Sequence, residues 1–147
     1  KSYIPLIVLT VQKEVAERLV AAPGDTAYGA LSLFVQYHTH AEYLGRVPNT
    51  AFYPQPEVDS AIVRLTPLPD RLPPHEQKWF FRLTRAGFGK RRKTLRNALT
   101  GLLDDADRAS AILRRAGIQP SARAEELSME QWLQLARETA RTLNPET

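Results

Sequence analysis

Pro67, Leu68, Pro69, Asp70, Arg71, Leu72, Pro73 and Pro74 place four prolines in eight residues. Proline fixes φ and removes a backbone donor, so neither a helix interior nor a paired strand tolerates this density. The stretch therefore reads as a linker, and the chain reads differently on its two sides. Immediately upstream, Val58, Asp59, Ser60, Ala61, Ile62, Val63, Arg64 and Leu65 form a strand pattern. Residues 41–47 form a shorter one. Residues 4–11 are a continuous apolar, β-branched run, the pattern of a strand buried on both faces in a parallel sheet. Between these lie two helical periods. Residues 12–22 carry Val15, Ala16, Leu19 and Val20 and end at Pro23 and Gly24. Residues 28–38 carry Leu31, Phe34, Val35 and His38 on one face. Strand, helix, helix, strand, loop, strand is the tail of an α/β sheet domain.

Downstream of the prolines there is no strand pattern. Residues 75–86 set Trp79, Phe80, Leu83 and Ala86 on one face of a helix, and residues 90–103 do the same with Leu95, Ala98, Leu99, Leu102 and Leu103. Asp104 and Asp105 offer N-caps to a helix over 106–116 with Ala109, Ile112, Leu113 and Ala116 inward, closed by Gly117. Ser128 and Gln131 form a capping box that opens a last helix with Trp132, Leu133 and Ala136. The expectation is an α/β protein of two parts: residues 1–67, a partial sheet domain, and residues 68–147, an all-helical domain.

Composition removes several functions. The 147 residues contain no cysteine, hence no disulfide, no thiolate nucleophile and no Cys-ligated metal; this fits a reducing compartment. His38 and His40 have no acidic cluster around them, so no metal is expected. No Ser-His-Asp constellation can be assembled from the spacing, and Gly87 with Gly89 lacks the third glycine of a dinucleotide fingerprint. No apolar run reaches the ~20 residues needed to cross a bilayer, and the N-terminus lacks the apolar core of a signal peptide. With no initiator Met and an apolar run almost at once, the chain reads as one whose start is missing.

The formal net charge of +4 is unevenly spread. Between Arg71 and Arg96 lie nine basic residues and one acid, Glu76, giving +8; the remainder carries −4. Such a localised footprint suits a polyanion, nucleic acid rather than membrane. Lys90, Arg91, Arg92 and Lys93 are consecutive, with Arg96 following, and they sit at the expected helix start, where they oppose the dipole. Placed there after a flexible lead-in of Gly87, Phe88 and Gly89, they suggest a phosphate site. Lys78, Arg82 and Arg85 fall on one stripe of the preceding helix. A second feature is Phe52 and Tyr53 in a loop stiffened by Pro54 and Pro56. A base can stack on such a ring, although composition alone favours Phe52 as a loop anchor in the core.

The run from Phe52 to Ala61 and that from Phe88 to Asn97 closely resemble the small-subunit rRNA adenine dimethyltransferases. Residues 11–19, 27–32 and 123–128 add to the match, so the resemblance covers essentially the whole chain in order. It implies the C-terminal part of a Rossmann-type methyltransferase sheet, its last three strands side by side, followed by a small helical RNA-binding domain. The implied activity moves methyl groups from S-adenosylmethionine to two adjacent adenines near the 3′ end of small-subunit rRNA. The implied chemistry is an in-line displacement in which positioning supplies much of the rate and the target base leaves its stack. By the same resemblance Phe52 lies against the target adenine, reversing the composition-based reading. Lys90, Arg91, Arg92, Lys93 and Arg96, with Lys78, Arg82 and Arg85 more weakly, contact rRNA. Glu57 stands where the family often has a basic residue.

The family holds its cofactor through a glycine-rich turn, an acid after the second strand and an Asn-x-Pro-Tyr motif. None is in this sequence. S-adenosylmethionine is therefore expected to bind the missing N-terminal part, the chain alone is expected to be inactive, and the strand at 4–11 is expected to show an open edge. The expected partner is small-subunit rRNA or the immature small ribosomal subunit. The expected setting is ribosome biogenesis in the cytoplasm, as a monomer and without a membrane. A non-catalytic RNA-binding or ribosome-assembly module is the alternative; a transcription-factor relative acting on DNA is a third. Replacing Arg91 and Arg92 together is expected to weaken RNA binding while barely changing stability.

Overall fold

The computed structural model describes residues 5–143. Its elements are β1 (Ile7–Gln12), α1 (Lys13–Val20), α2 (Ala30–His38), β2 (Thr39–Val47), β3 (Ser60–Pro67), α3 (Pro74–Gly89), α4 (Leu95–Ala98), α5 (Ala106–Arg115) and α6 (Met129–Leu143). The chain divides into two compact units, residues 1–21 with 31–70, and residues 22–30 with 71–147.

The first unit is a three-stranded sheet in the order β1-β3-β2. The last strand in sequence therefore lies between the other two, the side-by-side arrangement implied by the resemblance. β3 alternates buried and half-buried residues, with Ala61, Val63 and Leu65 inward, and runs antiparallel to both neighbours. The parallel-sheet reading of residues 4–11 is thus corrected. β1 pairs antiparallel with β3 and, among the described residues, with no strand on its other edge. Ile4 lies outside the described residues. Val8 and Leu9 are exposed, so β1 is not covered on both faces as the apolar run suggested, while its edge away from β3 is open among the described residues.

Ala16 and Leu19 of α1 close a small core on Ala61 and Val63, with Val11, Val15, Val20 and Val35 at its margin. Gln36 donates to the carbonyls of Leu19 (3.0 Å) and Ala21 (2.9 Å), satisfying acceptors that a helix C-terminus leaves free. The inward face of α2 is Ser32, Leu33 and Tyr37. Leu31 and Phe34, read as one face with Val35 and His38, are exposed: two apolar stripes wind round this short helix, and the buried one carries Ser32, whose hydroxyl donates to the Arg18 carbonyl of α1. Across the sheet Arg64 meets Glu42 in a two-pronged ion pair of 2.8 and 3.1 Å, a cross-strand pair in register. The Arg64 guanidinium holds the Glu42 carboxyl below its ordinary range.

In the second unit α3 packs on α6, burying Trp79, Phe80, Leu83, Trp132, Leu133 and Ala136. Asp105 caps α5 through the Arg108 amide (2.8 Å), and Gly117 follows with φ +79°. Ser128 and Gln131 exchange bonds of 3.2 and 2.9 Å at the start of α6. These three sequence signals each mark a boundary that forms.

The helix expected over 90–103 does not. α3 continues through Gly87 and Phe88 to Gly89, so this lead-in is helical rather than flexible. A Cβ on Gly87 would stand 2.9 Å from Cη2 of Trp132, so glycine here permits a close helix contact. Residues 90–93 form a turn closed by Lys93 N–H on the Lys90 carbonyl (2.9 Å). Thr94 then caps the single-turn α4, and irregular turns follow across Gly101. Leu95, Ala98, Leu99 and Leu103 are nonetheless buried: periodicity identified the inward side chains but not the backbone that carries them.

Candidate nucleic-acid interface

The break before α4 relocates the cations. They do not open a helix; they follow the C-terminus of the sixteen-residue α3, where a helix dipole favours positive charge. The phosphate site expected at a helix N-terminus does not form, because residues 90–93 make a turn and the four-residue α4 starts only at Leu95. What replaces it is an open depression of about 410 Å³ lined by Gly89, Lys90, Arg91, Arg92 and Lys93. Lys90, Arg92 and Lys93 are exposed, and none forms an ion pair with an acid among the described residues. Lys78, Arg82 and Arg85 are exposed on α3, away from the buried Trp79, Phe80 and Leu83, and the Arg82 guanidinium lies 5.4 Å from the Trp79 ring.

Two of the expected phosphate contacts are otherwise engaged. Arg96 donates through Nε to Ser110 Oγ (2.9 Å) and approaches Asp107 at 3.9 Å. Arg91 donates to the backbone carbonyls of Thr26 (3.1 Å) and Tyr28 (2.7 Å), and its Nε lies 3.5 Å from a Glu125 carboxylate oxygen. The cation run is therefore mixed: Lys90, Arg92 and Lys93 face solvent, while Arg91 is turned into its own unit. Sequence alone gives no sign of this, since the carbonyls Arg91 meets are more than sixty residues away.

The aromatic loop lies in the other unit. A single 3-10 turn (Asn49–Ala51) leads into Phe52. Phe52 is 39% exposed, Tyr53 wholly so, and Val58 about half, so Phe52 does not anchor the core. The peptide between Tyr53 and Pro54 is cis. The loop is held at its base by a residue not singled out from the sequence. Asp59 accepts from the Asn49 amide (2.8 Å) and from Arg46 (2.6 Å), its own carbonyl accepts from the Lys13 amide (2.9 Å), and Asn49 Nδ2 donates to the Pro56 carbonyl (3.1 Å). An Asp closing a proline-rich turn ahead of a strand was the available signal.

The Asn49 amide and then Arg46 hold the Asp59 carboxyl below its ordinary value. A lowered carboxylate stabilises the fold above its ordinary value, and that contribution is lost as pH falls through the lowered one. Protection of the Asn49 amide from hydrogen exchange, measured against Asp59→Asn, is accordingly expected to decline on acidification below about pH 4. In the variant it is low and shows no such step. Protection unchanged to pH 2 would remove Asp59 as the fastener.

Among the described residues no three or more His, Asp or Glu side chains group as metal ligands, and no helix is long and apolar enough to cross a membrane. Nor do these residues fit an adenosyl cofactor. β1 passes directly into α1 from Gln12 to Lys13, without a glycine turn to present free amides, and the Lys13 amide is occupied by Asp59.

A central antiparallel strand between two others, a helix packed on the sheet and a helical unit carrying a cationic turn are the C-terminal part of a methyltransferase fold with its helical domain. The same fold is seen in a dimethyladenosine transferase from Plasmodium falciparum, with a TM-score of 0.75 and 24% identity, over 90% of this chain and 56% of that one. It also occurs in the 23S rRNA methyltransferase ErmE, with a TM-score of 0.66 and 24% identity, over 92% and 55%. Residues 2–141 match the family model of ribosomal RNA adenine dimethylase, and the chain belongs to that family. Ribosomal RNA small subunit methyltransferase A of Synechococcus sp. strain JA-3-3Ab is 52% identical over 130 residues, 88% of this chain and 46% of that protein. Its counterpart in Nostoc sp. strain PCC 7120 is 48% identical, over 88% and 48%. The chain spans about half the length of these relatives.

Proposed function

We propose that this chain forms the target-base and rRNA-docking side of an rRNA adenine dimethyltransferase. The protein it serves moves methyl groups from S-adenosylmethionine to two adjacent adenines near the 3′ end of small-subunit rRNA. The observation that carries the reading is the turn at 90–93: three exposed cations without acid partners, in a chain of this family. Lys90, Arg92 and Lys93 bind rRNA phosphates, with Lys78, Arg82 and Arg85 extending the contact along α3; such contacts fix register rather than read sequence. Phe52, held at the rim of a pinned loop, stacks on the adenine once it has left its helix, a contact worth ~1–3 kcal/mol. Residues 5–143 do not fit S-adenosylmethionine; its site belongs to the part of the relatives that this chain does not match. The partner is the immature small ribosomal subunit, and the protein acts in the cytoplasm as a monomer.

A second reading, a non-catalytic RNA-binding or assembly module, draws on the lack of a cofactor cradle among the described residues. Titration separates the readings and their rivals. The 147-residue chain is expected to bind small-subunit rRNA with a steep salt dependence, to prefer it to duplex DNA at matched salt, and to give no heat with S-adenosylmethionine. Equal affinity for rRNA and DNA would overturn the rRNA assignment. Tight binding of the cofactor would overturn the division of labour. If this chain joined to the N-terminal half of a relative transfers no methyl group, the assembly-module reading replaces the enzymatic one.

A further inference from the structure

Arg91 sits in the middle of the cation run, yet its surroundings differ from those of its neighbours. Its guanidinium bonds the carbonyls of Thr26 and Tyr28, faces Glu125 at 3.5 Å and lies 5.4 Å from the Phe88 ring centroid. These groups are themselves linked. The Gly24 amide donates to the Glu125 carbonyl (2.9 Å). The Tyr28 hydroxyl donates to the Leu127 carbonyl (2.7 Å), and the Tyr28 ring meets Phe88 edge-on at 5.8 Å. Burial raises the Tyr28 hydroxyl to about 12, so it remains a donor throughout the neutral range. The result is a closed ring: residues 24–28, Glu125, Arg91 and Phe88, all in the second unit.

We infer that Arg91 is a positioning residue and not a phosphate ligand: it fixes the 90–93 turn by binding the carbonyls of residues 26 and 28. The planar guanidinium has the donors for this. It reaches two carbonyls through one nitrogen and a carboxylate through another, a set that a single ammonium cannot reproduce. A phosphate competing for Arg91 would leave two carbonyls and a half-buried carboxylate without their partner, a loss that Lys90, Arg92 and Lys93 do not incur. With the turn anchored at its second residue, those three side chains are presented outward at fixed spacing. The inference rests on the proposed rRNA contact and deepens it, by dividing one basic motif into a fastener and a binding surface. It also revises the expectation that replacing Arg91 leaves stability nearly unchanged.

The test uses the full 147-residue chain as Arg91→Ala, Arg91→Lys and Arg92→Ala, with purified small-subunit rRNA as the probe. Both Arg91 variants are expected to melt roughly 5–15 °C lower and to lose protection at the Lys93 amide. At 10 °C, where all variants are folded, both bind rRNA several-fold more weakly with the slope of log affinity against log salt unchanged. Arg92→Ala is expected to do the reverse: native melting and a slope shallower by about one unit. Arg91→Lys behaving as the native chain, or Arg91→Ala flattening the slope as Arg92→Ala does, would overturn the inference. So would native affinity at 10 °C despite lower melting, which leaves Arg91 merely structural. If Arg92→Ala leaves the slope untouched, the phosphate-contact reading fails by itself, and exchange at Lys93 still decides whether Arg91 holds the turn.

Discussion

Replacing Lys90, Arg92 and Lys93 together by alanine is expected to flatten the salt dependence of rRNA binding by about two to three units, without lowering the melting temperature. Each phosphate contact releases condensed counterions, and the slope counts those contacts at roughly 0.7–0.9 per charge neutralised. The three side chains are exposed and lack acid partners among the described residues, so removing them breaks no ion pair. The one stabilising role open to them is with the C-terminal dipole of α3, worth a few tenths of a kcal/mol at an exposed site. Affinity at low salt should therefore fall steeply, while the native and variant curves converge as salt rises. Charge-reversed Glu57→Lys, on the aromatic loop, is expected to steepen the slope by at most one unit. A triple variant that keeps the native slope would remove the turn from the interface and leave the stripe Lys78, Arg82 and Arg85 as the remaining candidate.

The sequence and the structure agree where a signal is local and disagree where a partner is distant. The caps at Asp105 and Ser128 and the Gly117 stop each act within a few residues, and each forms where expected. The resemblance implied only that the three strands are neighbours; that β3 lies in the middle is seen in the structure, since no local pattern specifies it. Non-local terms account for the failures. The parallel-sheet reading of β1 failed on the direction of its partner β3 and on layers that leave Val8 and Leu9 uncovered. The outward turn of Phe34 depends on which stripe of α2 is buried, and Ser32 and Gln36 fix that by reaching the carbonyls of Arg18 and Leu19 in α1. The truncation of the helix at 90–103 was foreseeable in one respect: four adjacent cations oppose a helix N-terminus, and a chain can satisfy that by not starting a helix there. The placement of residues 22–30 with the helical unit was not foreseeable, because it depends on Arg91, Glu125 and Leu127 meeting a loop some hundred residues earlier or sixty away. For the candidate site the division is similar. The exposed cations and the aromatic loop were legible by residue type, whereas the roles of Asp59 and Arg91 exist only in their hydrogen-bond partners.

Trp132→Ala is expected to cost about 3–5 kcal/mol, the range for emptying a large buried aromatic site, and thus much of the ~5–15 kcal/mol that holds an ordinary domain folded. Trp132 is fully buried, with Phe88 at 5.9 Å between ring centroids and the backbone of Gly87 close enough that a Cβ there would meet Cη2 at 2.9 Å. The glycine and the indole are one packing unit. Gly87→Ala alone should therefore overpack and cost about 1–3 kcal/mol. Trp132→Phe should cost less than Trp132→Ala, because it removes less volume. Combined, Gly87→Ala and Trp132→Phe should cost less than the sum of the two, because the smaller ring vacates the space the new methyl needs. Contacting residues of this kind commonly couple by 0.5–3 kcal/mol. Urea unfolding of the second unit reads this directly, since Trp79 on α3 remains as a fluorescent reporter when Trp132 is replaced. Strict additivity of the pair would mean that Gly87 is glycine for a reason other than the approach of Trp132. The coupling would then be sought at Leu95 and Ala124, the next atoms a Cβ would meet, at 3.3 and 3.4 Å.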